Sequence, residues 1–492
     1  MRKLHKLLYI LAPVLLLVGC INKSEPTYIL DIATEYSCTH DEQCVEIPYS
    51  LDPKCSRHIK VSASSEAEWL TIDTSNPGVI KIDVEYNGGY NRNTEIVVSA
   101  TGHRSATLSF KQYSIPPTTA NHTLIFYFFG TSLKRYFDTN LKDAENAIRK
   151  GILGNNNRVM YLLQEDKYTA NIGEICFDSE SGTYRKIDIE KVSLSGSRIT
   201  SETIGENISK IVDIAPAERY GIIFAGHGQG WVPRSYLNGS AGISTLSAGI
   251  PPFTPAPGAE VTRAFGEYNV QMDISEIAEG INLSNTAMDY ILFDACFMSN
   301  IEAIYDLRNS ANYIIASPCE IMGRGFPYER TLPYLFEDEG RTTNYIKAAE
   351  SYYLYYRDEY VGDSRCGSVA VIDCSTLEPL AEATKEVLRS AVYDYDKNYL
   401  QTYEGQDPHY FYDFGEWVNV AGTDRTALSK FNTAIRNSVV AKFTLPTFYS
   451  AYGRAGTYPI NELVYSGLTT SAPNEVFTPF WEQTEWYKSI ME

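Results

Sequence analysis

Between residues 25 and 115, apolar and polar positions alternate in short runs: YILDIAT, CVEIPYSL, HIKVSAS, GVIKIDVEY, TEIVVSA and ATLSFKQY. Gly, Asn, Pro and Ser separate the runs, as expected for half-buried strands joined by tight turns, and the segment predicts a small β-sandwich. After Pro116-Pro117-Thr118-Thr119 the pattern changes. Nearly unbroken apolar runs (TLIFYFFG, RVMYLLQE, YGIIFAG, YILFDAC, YIIASP, SVAVIDC) now alternate with stretches of helical period such as DAENAIRKGI, TIGENISKIVDI, DISEIAEGIN and LEPLAEATKEVLRSAV. Strands buried on both faces and separated by amphipathic helices predict an α/β fold with a mostly parallel sheet, whose ligand sites lie at the carboxyl ends of the strands. RVMYLLQE is followed by a polar stretch with no assigned element, and the aromatic last ninety or so residues extend the sheet edge or wall the cleft.

These shifts divide the chain into a leader at 1–19, a sandwich at 20–115, a linker at 116–122 stiffened by its prolines, and an α/β domain at 123–492. A chain of 492 residues with 44% hydrophobic content can bury cores for two or three domains. Its formal charge of −19, with no dense Lys/Arg run after the first few residues, excludes nucleic acid as a partner.

The leader joins a basic MRKLHK to an apolar LLYILAPVLLLV and ends in Leu17-Val18-Gly19-Cys20. It resembles a bacterial lipoprotein signal, which implies lipid on Cys20, membrane attachment and a place in the cell envelope. Ile21 after the cysteine suits the outer membrane of a Gram-negative bacterium. Loss of Arg2, Lys3 and Lys6 with the leader takes the charge from −19 to −22. Export permits disulfides among the cysteines other than Cys20, with no pairing fixed by their spacing.

Two strand ends carry the candidate chemistry. His227 follows YGIIFA within Gly226-His227-Gly228, and Cys296 follows YILFDA. On neighbouring parallel strands both would emerge at one rim of the sheet. Ser299-Asn300-Ile301-Glu302 has capping-box spacing, so a helix is expected just after Cys296, with an N-terminal dipole that favours the thiolate. His227 would supply a proton to a leaving amine, and Gly228, lacking a Cβ, would let its amide approach a substrate carbonyl.

The His227-Gly228 and Asp294-Ala295-Cys296 segments, with GHGQGW, DACFMSNIEAIYDLRN, YIIASP and GRGFPYE, resemble successive core segments of the clostripain family of cysteine peptidases, relatives of caspases and gingipains. The resemblance covers roughly residues 123 to 490. It implies a caspase-like sheet with Cys296 as nucleophile, His227 as acid, and the amides of Gly228 and Cys296 holding the oxyanion. It also implies that Asp294 lies at the base of the S1 pocket, facing Arg or Lys at P1; the other reading is that Asp294 only accepts backbone hydrogen bonds.

Some members of the family cut themselves between the histidine and cysteine segments. Arg234 and Arg263 are the basic side chains between Trp231 and Asp273, so one of them is the expected processing site, in an exposed Gly/Pro-rich loop. Cys319 is either a second thiol near the cleft, a disulfide partner or packing, and Arg324 is expected near the substrate groove. Calcium dependence occurs in the family, but no EF-hand-like loop is visible, so no metal or other cofactor is expected.

The order Trp69-Leu70, VIKIDVEYN, Asn91 to Val98 and Phe110-Lys111-Gln112 resembles the BACON-type immunoglobulin-like domains of envelope proteins, which implies either glycan binding or a spacer. The leading expectation is a lipid-anchored endopeptidase acting on protein or peptide substrates with a basic P1. The alternatives are a catalytically silent envelope lipoprotein that binds glycan or protein, and a caspase-like peptidase with a different P1 preference.

Overall fold

The computed structural model describes residues 28–492 apart from 53, 55–58, 116, 155, 179–180, 195–198, 234–255, 264–272, 337–340 and 476–477. The signal segment and Cys20 lie outside the described residues, and so does Arg234. The chain divides into two compact units, one ending at Pro116 and the other beginning at Pro117.

The first unit is all β. One sheet orders its strands β1 (Leu30–Ile32), β3 (Gln43–Leu51), β6 (Val79–Val84), β5 (Leu70–Asp73), and the other β2 (Glu35–Cys38), β8 (Ala106–Gln112), β7 (Arg92–Ala100), β4 (Val61–Ser64). The period-two pattern sends Ile47, Ile80, Ile82, Ile96, Val98 and Phe110 into the core between the sheets, each at most 1% exposed. Burial of each such side chain stabilises by roughly 1.5–3 kcal/mol, which makes the pattern the main determinant of this fold.

The second unit is built on a nine-stranded mixed sheet with helices packed on it. Its strands are β9 (Ala120–Phe128), β10 (Asn157–Gln164), β11 (Thr169–Asp178), β12 (Thr183–Ser193), β13 (Ala217–Ala225), β14 (Met288–Asp294), β15 (Ala311–Ala316), β16 (Ser368–Asp373) and, after a short β17 (Tyr412–Asp413) outside the sheet, β18 (Val439–Thr444). The order is β12-β11-β10-β9-β13-β14-β15-β16-β18. Pairings from β10 through β15 are parallel, and both edges are antiparallel. The centre is thus the parallel sheet that the strand–helix alternation predicts. The edges differ because the polar stretch after β10 forms the β11–β12 hairpin, and SVAVID runs against its neighbour. Polar residues line β12 because an edge strand keeps one side in water.

β9 begins at Ala120, inside the stretch expected to be linker, because the amides of Ala120 and Asn121 are already paired to the carbonyls of Pro216 and Asn156. Leu124, Ile125, Phe126, Tyr127 and Phe128 are all fully buried, as required of a central strand covered on both faces. Among the described residues no helix is long and apolar enough to cross a membrane.

Candidate active site

β13 and β14 are parallel neighbours, with Ala225 registered opposite Asp294. His227 and Cys296 each follow that matched pair by the same number of residues, so both leave the sheet at the same level of its carboxyl rim. Gly228 lies directly against the cysteine: a Cβ there would stand 2.2 Å from the Cys296 carbonyl oxygen and 2.7 Å from its nitrogen. Only glycine lets the two strand ends approach this closely. Phe297 holds the turn after the cysteine at φ 60°, a left-handed conformation that is uncommon for an aromatic residue. Its ring stacks on Phe411, with centroids 4.7 Å apart, and its amide donates to the Cys319 carbonyl, which together hold this turn.

The helix after the cysteine departs from expectation. It spans Ile301–Asp306, and its N-cap is Asn300, whose side chain accepts from the Ala303 amide. Ser299 donates instead to the Gly467 carbonyl, and Glu302 accepts from Thr470, Ser471 and Trp481, so no capping box forms. The thiol is not lowered either. Burial raises the Cys296 pKa well above its ordinary value, Glu320 adds to the rise, and the Ile321 amide, 3.0 Å from Sγ, partly opposes it. Desolvation of a fully buried sulfur outweighs a helix end several residues away.

The cysteine is buried because the chain's own segment Val261–Arg263 crosses the rim as an added strand. The Arg263 amide donates to the Ile321 carbonyl (2.7 Å), the Gly323 amide to the Val261 carbonyl (2.6 Å), and Thr262 bridges Met322 in antiparallel sense. The Arg263 carbonyl accepts from the amides of Gly228 (3.0 Å) and Cys296 (3.4 Å).

Below this carbonyl, the Arg263 side chain fills a closed pocket and is 0% exposed, which corrects the expectation of an exposed loop at this arginine. Nη1 lies 2.9 Å from Oδ2 of Asp294 and donates to that residue's carbonyl; Nη2 donates to Asn140 Oδ1 and the Arg324 carbonyl; Nε donates to the Gly323 carbonyl. Four of the guanidinium's five N–H groups therefore donate hydrogen bonds, and Nη1 adds the ion pair with Asp294. Asp294 also accepts from the Tyr328 hydroxyl (2.6 Å) and the Phe326 amide (3.2 Å). Burial pushes its carboxyl up, against the opposing pull of Arg263, Tyr328 and Phe326. Gly325, at φ 70°, forms part of the wall, where a Cβ would strike the Arg263 guanidinium at 2.3 Å.

His227 is half-buried and its Nε2 lies 2.9 Å from Ser132 Oγ. Cys319 is fully buried, and burial raises its pKa to about 12. Arg324 turns from the groove to pair with Asp143. Asn140, Tyr328, Gly325 and Ser132 had no signal in the sequence beyond the GRGFPYE segment, because two of them stand in and beside a helix far upstream. Among the described residues no group of His, Cys, Asp or Glu side chains could hold a metal ion.

A carbonyl held by two backbone amides beside a cysteine, above an arginine bound to a buried carboxylate, is a geometry suited to acyl transfer. Residues 259–458 match the model of the clostripain family. No curated protein matches the chain. Among solved structures, the secreted C11 cysteine protease "iotapain" from Bacteroides thetaiotaomicron is 28% identical and superposes at a TM-score of 0.64, over 76% of this chain and 100% of its own. An inactive zymogen C11 protease from Parabacteroides distasonis is 26% identical at a TM-score of 0.61, over 77% of this chain and 100% of its own. A secreted C11 cysteine protease from Bacteroides thetaiotaomicron bound to an irreversible peptide inhibitor shares the fold at 23% identity and a TM-score of 0.61, over 76% and 99% of the two chains. With the cysteine strand and its rim inside the matched segment, the chain belongs to the clostripain (C11) family of cysteine peptidases.

Proposed function

We propose that the chain is an endopeptidase that cleaves after arginine through Cys296 and His227, and that the bond following Arg263 is its first substrate. The observation that carries this reading is the pose of Arg263, whose carbonyl faces the amides of Gly228 and Cys296 while its guanidinium meets Asp294. In this mechanism Sγ of Cys296 attacks the carbonyl carbon and the developing oxyanion takes stronger hydrogen bonds from the two amides. The C–N bond then breaks, and His227 passes the proton that began on the thiol to the leaving nitrogen. Water adds to the thioester, the S–C bond breaks, and the acid at the new C-terminus and the free thiol are released.

The S1 pocket favours arginine over lysine. Its acceptors surround a planar fork on all edges, and an ammonium would leave some of them unpaired. While Val261–Arg263 remains in place it fills the cleft, so the intact chain excludes other substrates until that segment is cut and withdraws. After cutting, protein or peptide substrates with P1 arginine take its position; a related C11 protease has been crystallised with a peptide inhibitor. The lipobox-like Leu17–Cys20 supports anchoring of this activity to the cell envelope, and the sandwich would act as a spacer or glycan-binding module.

The test compares wild type, Cys296→Ala and Asp294→Ala on peptides that differ only at P1 (Arg, Lys, Asp, Leu), with intact-mass analysis of each chain. Expected are cleavage between residues 263 and 264 and arginine-selective turnover in wild type, neither in Cys296→Ala, and lost selectivity in Asp294→Ala. Turnover that survives Cys296→Ala would remove the nucleophile assignment, and wild type that stays intact while active would remove the processing assignment.

A further inference from the structure

Thr262 precedes Arg263 and so stands at P2 of the bound segment. Its Oγ1 donates to Oε2 of Glu320 at 2.7 Å. Glu320 is 1% exposed and is fixed from the other side: Ser450 Oγ donates to Oε1 at 2.7 Å, and the Ala451 amide lies 3.0 and 3.1 Å from its two oxygens. Thr262 itself is 6% exposed. Val261, at P3, is 44% exposed and contributes only its backbone to the pairing.

We propose that Glu320 is the specificity-determining residue of the S2 subsite and selects a small hydroxyl-bearing P2, threonine first, so that the preferred sequence is Thr-Arg. This rests on the reading that Arg263 occupies S1. Two of the three groups that donate to Glu320 belong to the fixed wall, at Ser450 and Ala451; the third comes from the segment that leaves. An incoming substrate therefore meets a buried carboxylate oxygen that has just lost a donor. A P2 valine has nearly the shape of threonine but places a methyl against that oxygen, and a subsite built to bond a hydroxyl rejects the analogue that lacks it. A long cationic P2 would need room that the enclosed Thr262 does not occupy. P3 is left unselected because its side chain faces solvent.

The test uses the full-length chain after cleavage at Arg263, with four peptides identical except at P2 (Thr, Ser, Val, Arg) and with arginine at P1. The expected order of kcat/KM is Thr above Ser, with Val lower than Thr by about tenfold, the loss expected of one unpaired buried acceptor. Glu320→Gln, with its P1 Arg-to-Lys ratio and thermal unfolding followed as controls, narrows the Thr-to-Val ratio to about twofold, because a neutral amide tolerates the methyl better than a carboxylate does. Thr262→Val in the intact chain slows self-cleavage by a similar factor.

Equal rates on the Thr and Val peptides, with arginine still required at P1, would overturn the S2 assignment and leave the S1 reading intact. A preference for Arg at P2 would overturn the hydroxyl selection. No selectivity at P1 would remove the parent reading. If Glu320→Gln fails to fold, the peptide series on wild type decides.

Discussion

Arg263 and Asp294 are fully buried, with Nη1 and Oδ2 2.9 Å apart, and the same arginine directs its backbone carbonyl at the amide of Gly228. One residue thus joins a buried carboxylate to two backbone amides at the sheet rim, the groups proposed as the base of S1 and the oxyanion donors. Under the proposed mechanism, the chain carries its own first substrate in the position that cleavage requires.

Replacing Arg263 by Gln leaves the Asp294 carboxylate enclosed without its cation. Removing one partner of a buried pair costs roughly 3–5 kcal/mol, so urea unfolding of the intact chain should show a loss of that order. The variant should also remain uncut by intact mass. An unfolding midpoint equal to wild type would show that the pair is not buried as described.

Gly228→Ala places a Cβ 2.2 Å from the Cys296 carbonyl oxygen. Backbone must shift at the oxyanion site, and loss of one such donor costs about a hundredfold or more in kcat. The expected outcome is a folded protein, by circular dichroism, whose self-cleavage and peptide turnover fall by at least that factor. Turnover within a few-fold of wild type would exclude the Gly228 amide as an oxyanion donor.

Ser132→Ala removes the hydroxyl 2.9 Å from His227 Nε2. A single neutral hydrogen bond is worth about 1 kcal/mol, so kcat should fall by roughly fivefold with KM little changed, as expected for a group that orients the imidazole. A change confined to KM would place Ser132 in substrate binding instead.

Burial raises the Glu320 carboxyl to about 7, from an ordinary value of 4.5. A native state that holds a proton more tightly than the unfolded chain is favoured by acid. The contribution is fully present below the unfolded pKa and is lost as pH rises toward 7, with an upper limit of about 3 kcal/mol. Asp413, raised to about 6 by burial, acts in the same direction. The stability of wild type relative to Glu320→Gln should therefore decline between pH 4.5 and 7; parallel pH profiles for the two proteins would contradict the shift.

Much of the architecture is legible along the chain. Period-two alternation marks the sandwich, and the run from Leu124 to Phe128 marks a central strand, because burial on one face or two leaves its own periodicity. The β11–β12 hairpin escaped because β12 is an edge strand with polar positions that read as loop. The capping box at Ser299 failed because spacing records only what a side chain could reach; Gly467 and Thr470, brought in from the far end of the chain, bind those side chains instead.

For the site, the sequence by itself determined that a histidine and a cysteine end two buried strands, since an apolar run that stops at a polar residue fixes that residue at the sheet rim. Which arginine meets Asp294, and that Asn140, separated from it by 123 residues, is among its acceptors, was decided by tertiary structure alone. So was the meeting of Thr262 with Glu320. Such contacts depend on distances of a few tenths of an ångström between segments remote in the chain, and no local pattern of hydrophobicity, propensity or spacing encodes them.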